Sequence, residues 1–168
     1  KVPVWSYAGC SDSKIFDQQA GYENAATVLI AALSGGNLIH DVGYLNSGLT
    51  SSLESIVVND EFIGMTKRLM QGIEVSEETL CLDVIDQVGP GGHFMAEQHT
   101  YDHFREDYFP KLFNRTTYQS WSKEGQKTLG DRANEKLRQI LETHKPEPLS
   151  EEIQAQLRAI IERAEGGP

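Results

Sequence analysis

Two short apolar segments, each followed by a polar loop and then a long helical stretch, constrain this chain more than anything else in it. Residues 2–8, with Trp5 and Tyr7, read as a strand leading into the small polar run Gly9-Cys10-Ser11-Asp12-Ser13-Lys14. Alternation along that strand puts Trp5 and Tyr7 on one face and Val4 and Ser6 on the other. From about Asp17 to Ser34, the residues Ala20, Tyr22, Ala25, Ala26, Leu29, Ala32 and Leu33 recur at helical spacing, and Gly35-Gly36 supplies the stop. Residues 37–42, with His40 among them, form a second apolar run, and residues 43–50, with Tyr44, form its loop. Ser51 and Glu54 have the spacing of a capping box and open a helix that runs to about Gln71. Such βαβα units build parallel sheets, whose sites gather in the loops beyond the strands. Those loops are residues 9–16 and 43–50.

After Ser76 the pattern is helical. Leu80, Val84, Ile85 and Val88 mark one amphipathic helix ended by Gly89-Pro90-Gly91-Gly92. Further helices are expected at about 97–105, 117–123, 129–143 and 150–164, with Ile153, Leu157, Ile160, Ile161 and Ala164 on one stripe of the last. Residues 1–75 therefore read as βα units and residues 76–168 as a helical extension of the same domain, with Gly166-Gly167-Pro168 disordered at the end. The 168 residues suit one core. An α/β barrel needs eight strands and about 200 residues or more, so this chain cannot close one by itself. Lys1 is not an initiator Met, and the chain reads as cut from something longer.

Charge narrows the partners. With 15 Lys and Arg against 25 Asp and Glu, the net charge of -10 argues against a nucleic-acid groove or an anionic membrane surface. The longest apolar run, around Val28 to Leu33, is too short to span a bilayer. Cys10 and Cys81 stand alone, without zinc-site spacing or disulfide density, so a reducing cytoplasmic compartment is expected.

Several residues could carry chemistry. His99 and His103, four apart on a helix, could present two imidazoles on one face. There is no Glu beside His99 of the kind a hydrolytic metal helix carries, and a glycine-rich turn separates His93 from it, so no metal site is expected. His40, at a strand end, is either a working residue or a buried partner, and Asp41 should face the opposite way. The loop after the first strand is not a phosphate-binding loop; Ser11, Asp12 or Asp17 would cap the helix behind it. Cys10 reads as a small buried residue. Trp5, Tyr7 and Tyr44 could enclose a quaternary ammonium, at about 0.5–2 kcal/mol each, or could pack under helices.

Gly9-Cys10-Ser11-Asp12-Ser13-Lys14, continued by Asp17-Gln18-Gln19-Ala20-Gly21-Tyr22-Glu23, resembles a segment of the trimethylamine methyltransferase family, the amine:corrinoid methyltransferases. Gly36-Asn37-Leu38-Ile39-His40, the Glu61-bearing stretch 57–64, Gly91-Gly92-His93-Phe94, His99-Thr100 and Asp131-Arg132-Ala133-Asn134 resemble the same family in the same order. The resemblance implies a TIM (β/α)8 barrel, of which this chain would hold the last two βα units and the C-terminal helical extension. It implies an enzyme that moves a methyl group from a methylated amine to the cobalt of a corrinoid on a separate protein, in one-carbon metabolism such as methanogenesis. This chain itself would bind no cofactor. Archaeal trimethylamine members carry pyrrolysine, expected near the opening strand. If that position lies within residues 1–14, which hold only standard residues, the resemblance is closer to glycine betaine-type members acting on quaternary amines.

On that footing His40 becomes the candidate catalytic residue, and Trp5, Tyr7, Tyr44, Asp12 and Lys14 the candidate substrate contacts. A chain holding two βα units alone should be inactive, and its open sheet edge should favour a homo-oligomer. The alternative is a non-enzymatic module that docks a corrinoid protein or another partner.

Overall fold

The computed structural model describes residues 2–166; Lys1, Gly167 and Pro168 lie outside it, and with the last two most of the tail expected to be disordered. The chain divides into two units, one ending at Leu137 and one starting at Arg138.

The first unit opens as the sequence pattern requires. Strand β1 (Trp5–Tyr7) leads into helix α1 (Gln18–Leu33), which returns to strand β2 (Leu38–His40). The two strands pair in parallel, with Trp5 opposite Leu38 and Tyr7 opposite His40. Parallel register puts these four side chains on one face of the sheet, as alternation predicts for Trp5 and Tyr7. That face is open: Trp5 is 70% exposed, Tyr7 66% and Leu38 58%. On the other face, Ile39 joins Ala8, Val28, Ala31, Phe62 and Ile63 in a core shared with the helices.

The 43–50 loop carries more order than the sequence suggests. Strands β3 (Tyr44–Leu45) and β4 (Thr50–Ser51) form a small antiparallel hairpin. Because Ser51 is held in that ladder, the helix cap moves one residue on. Ser52 is the N-cap of α2 (Leu53–Met70), and its hydroxyl oxygen accepts from the Ser55 amide at 3.1 Å.

The helix faces also differ from the apolar count. α1 buries Ala20, Asn24, Val28 and Ala31, and leaves Tyr22 and Leu33 exposed. α2 buries Ser55, Val58, Asn59 and Thr66, and leaves Leu53 and Leu69 exposed. The seam between them is polar: Asn24 Nδ2 donates to Ser55 Oγ at 2.9 Å, and Asn59 Nδ2 donates to the Ser55 carbonyl at 2.8 Å. Small side chains let the helices approach, and the Asn24 and Asn59 amide nitrogens find acceptors there, while Asn24 Oδ1 and Thr66 Oγ1 have no partner among the described residues; burial follows fit more than hydropathy.

Beyond α2 come α3 (Glu77–Leu80), α4 (Leu82–Val88), α5 (Gln98–His103), α6 (Tyr118–Lys123) and the start of α7 (Leu129–Thr143). The single helix expected across Leu80 to Val88 is broken at Cys81, whose φ of 52° is left-handed. A second core joins Val58 to Leu112 and Ala133, with Phe16, Val57, Phe113 and Leu129 around it. Glu61 anchors it: its carboxylate accepts from the amides of Lys111 and Leu112, and its carbonyl accepts from the Tyr108 hydroxyl. Arg132 donates to the carbonyls of Leu112 and Lys127, both at 2.7 Å, and Asn134 donates to Glu54 at 2.8 Å. The late Asp131-Arg132-Ala133-Asn134 motif thus ties α7 to α2 and to the carbonyls of residues 112 and 127.

The second unit contains the end of α7 and α8 (Glu151–Glu165), capped by Ser150. The apolar stripe of α8 is exposed, Ile160 at 59% and Ile161 at 55%. Among the described residues no helix is long and apolar enough to cross a membrane.

Candidate functional site

The carboxyl ends of β1 and β2 point the same way, so the loops after them, 9–16 and 43–50, lie together. They are stitched by backbone bonds. The Gly43 amide donates to the Gly9 carbonyl at 2.8 Å, Ser11 to Tyr44 at 3.0 Å, and Asn46 to Ser13 at 2.9 Å. Gly9 and Gly43 both take left-handed φ, 71° and 92°. A Cβ on Gly43 would run into Ile56, so only glycine fits where this loop turns over α2.

Between the loops and α1 lies a cleft of about 490 Å³, on which Tyr7, Asp12, Glu23, Asp41, Tyr44 and Ser47 converge. Its size suits a small molecule, and its charge has one sign: among the described residues the lining includes three carboxylates and no basic side chain. Glu23 is fixed most firmly. Its Oε2 accepts from the Ser11 hydroxyl at 2.6 Å and from the Asp12 amide at 3.0 Å, and Oε1 accepts from Gln19 at 2.9 Å. These bonds, Ser11 first and Gln19 next, hold its carboxyl below the usual glutamate range. Asp12 is oriented by the Ser47 hydroxyl at 2.7 Å. The Cys10 thiol is pushed up, first by burial and then by Asp41, with Asp12 and Glu23 adding to it. That thiol, raised and half-buried, is no ready nucleophile.

The expected site residues separate here. Tyr7, Tyr44 and Asp12 reach the cleft. Lys14 turns back on its own loop, its Nζ donating to the Asp12 carbonyl at 2.7 Å, so no loop ion pair with the Asp12 carboxylate forms. Trp5 packs edge-on against His40, with ring centroids 5.2 Å apart, and neither ring is part of the cleft wall. His40 reaches it through a neighbour: its Nδ1 donates to Asp41 Oδ1 at 2.6 Å. Alternation placed Asp41 on the opposite face from His40, but the strand ends at His40. Asp41 itself has a φ of 71°, which turns its carboxylate back to the imidazole.

Sequence reasoning missed Glu23 and misplaced Asp41. No local signal singles out Glu23, because the partners that fix it, Ser11 and the Asp12 amide, lie 12 and 11 residues earlier across the loop. The α1 cap is indeed Asp17, which accepts from the Ala20 amide at 3.0 Å. His99 and His103 do not line this cleft.

Comparison with known proteins gives one family. The chain matches the trimethylamine methyltransferase family over residues 1–167. It is 42% identical over 164 residues to trimethylamine methyltransferase MttB of Desulfitobacterium hafniense (strain DSM 10664 / DCB-2), covering 98% of this chain and 33% of that protein. It is 41% identical to glycine betaine methyltransferase of Desulfitobacterium hafniense (strain Y51), over 95% of this chain and 34% of the relative. To trimethylamine methyltransferase MttB of Methanosarcina barkeri it is 36% identical, over 98% of this chain and 33% of the relative. The chain spans about a third of the length of these curated relatives.

Proposed function

The chain belongs to the trimethylamine methyltransferase family, and from that premise we propose that it supplies part of the substrate pocket of an enzyme taking a methyl group from a quaternary amine. The observation that carries this reading is the cleft itself: three carboxylates and two tyrosines converging at the carboxyl ends of parallel strands. A quaternary ammonium has no proton to donate, so it is recognised by negative field and aromatic faces rather than by directed hydrogen bonds. Tyr7 and Tyr44 offer the faces, at about 0.5–2 kcal/mol each, and Asp12, Glu23 and Asp41 offer the field.

The proposed methyl acceptor is the cobalt of a corrinoid on a separate protein, which supplies the nucleophile while the C–N electron pair stays with the departing neutral amine. The positive charge on nitrogen therefore declines toward the transition state. Carboxylates around that nitrogen hold the bound substrate more strongly than the transition state, so they serve capture more than acceleration. What the cleft adds to the rate is alignment: loops stitched together and a carboxylate clamped by Ser11, Gln19 and the Asp12 amide fix the cation in one place. His40 acts as a positioning residue through Asp41.

In this proposal β1-α1-β2-α2 forms the last part of a TIM barrel, the open face bearing Trp5, Tyr7, Leu38 and His40 turns to the barrel interior, and the remaining strands complete the pocket. The parallel pairing, the intervening helix and the share of the relatives' length that is matched support it.

The test is methyl transfer to reduced corrinoid by the intact protein carrying this sequence, read from the visible absorbance of cobalt. Glycine betaine or another quaternary amine should methylate the cobalt, and Asp41→Asn should raise KM about tenfold while lowering kcat far less. No cobalt change with any quaternary amine would overturn the reading and favour a docking module. Transfer from trimethylamine alone would overturn the quaternary-amine assignment.

A further inference from the structure

The stretch from Ser76 to Glu106 has almost no core of its own: α3, α4 and α5 contain no buried residue. What ties α3 to α5 is a cluster of polar side chains. One nitrogen of His99, Nε2, lies 2.9 Å from the Glu78 carbonyl oxygen. His103 Nε2 lies 3.1 Å from Glu78 Oε1, and His103 Nδ1 lies 2.8 Å from Glu106 Oε1. The two imidazoles stack loosely, centroids 4.3 Å apart.

We propose that Glu78, His99 and His103 bind one divalent transition-metal ion of the zinc class, which clips α3 to α5. Two imidazoles and one carboxylate, with a fourth position left for water, are a donor set that such ions accept. One donor atom from each of the three residues lies within 4.8 Å of the others. Zinc–ligand bonds of about 2.0–2.1 Å in tetrahedral geometry put donors about 3.4 Å apart. His103 Nε2 and Glu78 Oε1, at 3.1 Å, already have that spacing, and a donor of His99 lies within 4.8 Å of both residues' donors.

The second nitrogen of each ring strengthens the assignment. When His103 donates its Nδ1–H to Glu106, the lone pair is left on Nε2, which faces Glu78. When His99 donates Nε2–H to the Glu78 carbonyl, the lone pair is left on Nδ1. Metal-bound histidines are held in this way, the distal N–H donated to a carboxylate or a backbone carbonyl that fixes tautomer and ring orientation. The helical spacing of His99 and His103 shows only two of the ligands, because the third comes from α3, 21 residues back from His99. An ion here would close that loop in a segment without a core, and its binding energy would become folding energy for the segment. The role is structural, and no reaction is assigned to it.

The test uses chelator-treated protein, titrated calorimetrically with Zn²⁺ and, separately, with Co²⁺ followed by visible absorption. One ion per chain is expected, with d–d bands for Co²⁺. His99→Ala and His103→Ala should each weaken binding by about 100-fold or more, and Glu106→Gln by about 10-fold. His93→Ala should leave it unchanged. In the unaltered protein, Zn²⁺ should slow proteolytic cleavage between residues 81 and 97, a readout that depends on no variant. Absence of stoichiometric uptake, full affinity in either His99→Ala or His103→Ala, or no protection from cleavage would each overturn the proposal.

Discussion

At the head of α1 the Asp17 carboxylate accepts from the Ala20 amide and from the Ser13 hydroxyl, at 3.0 and 2.9 Å. Those bonds, the amide first and the hydroxyl next, hold its carboxyl below the usual aspartate range. A depressed carboxylate stabilises the fold above its unfolded value, and that contribution is lost as pH falls through the lower folded value. Glu23 acts in the same direction. Denaturant unfolding followed from neutral to acid pH should therefore show stability falling on the acid side. Asp17→Asn keeps an acceptor for the cap but cannot titrate, so its curve should fall less steeply. Parallel curves for the two proteins would refute the assignment. The same single-residue logic explains Asp41, where one left-handed backbone angle overrides strand alternation. Side-chain direction was legible in the strand and stopped being legible one residue past its end.

At the scale of elements, the polar seam between α1 and α2 carries the clearest test. Ser55 is fully buried and takes the Asn24 amide, while Asn24 Oδ1 has no partner among the described residues. Ser55→Ala removes only the hydroxyl and leaves that amide without its acceptor. The expected cost is about 1–3 kcal/mol in urea unfolding, and a change well below this would mean that the seam is not closed as described. Order and type of the main elements were readable from periodicity and stop signals: two parallel strands, the helix between them and the helices beyond. The buried faces were not, because the close-packed stripe is built from Ala, Asn and Ser while larger apolar residues such as Tyr22 and Leu69 stay exposed. Cys81 and the β3–β4 hairpin were hidden for a related reason, since nothing local in the sequence forces a non-glycine residue to a left-handed φ or two-residue strands to pair. At the candidate site the loops, both tyrosines and Asp12 were legible. Glu23 was not, because its role depends on a hydrogen bond to Ser11, 12 residues earlier, across a loop.

For the molecule as a whole, the open sheet face and the net charge of -10 oppose each other. Trp5, Tyr7 and Leu38 offer apolar area that favours association, while the charge keeps copies apart until salt screens it, over about 8 Å at physiological ionic strength. Sedimentation of this chain should therefore show an average mass that rises with protein concentration and rises further with added salt. A monomer at every concentration and salt would mean that the open face is not a contact surface.

The stitched loops also bear on how such a cleft can diversify. Three backbone bonds join residues 9–13 to residues 43–46, each fixed to a particular partner. A residue inserted between 9 and 13 or between 43 and 46 would put at least one of them out of step, whereas a side chain can be exchanged at Tyr7, Asp12 or Ser47 without disturbing any of them. The two loops are coupled as a pair, so exchanging side chains one at a time alters what the cleft accepts while its outline stays the same.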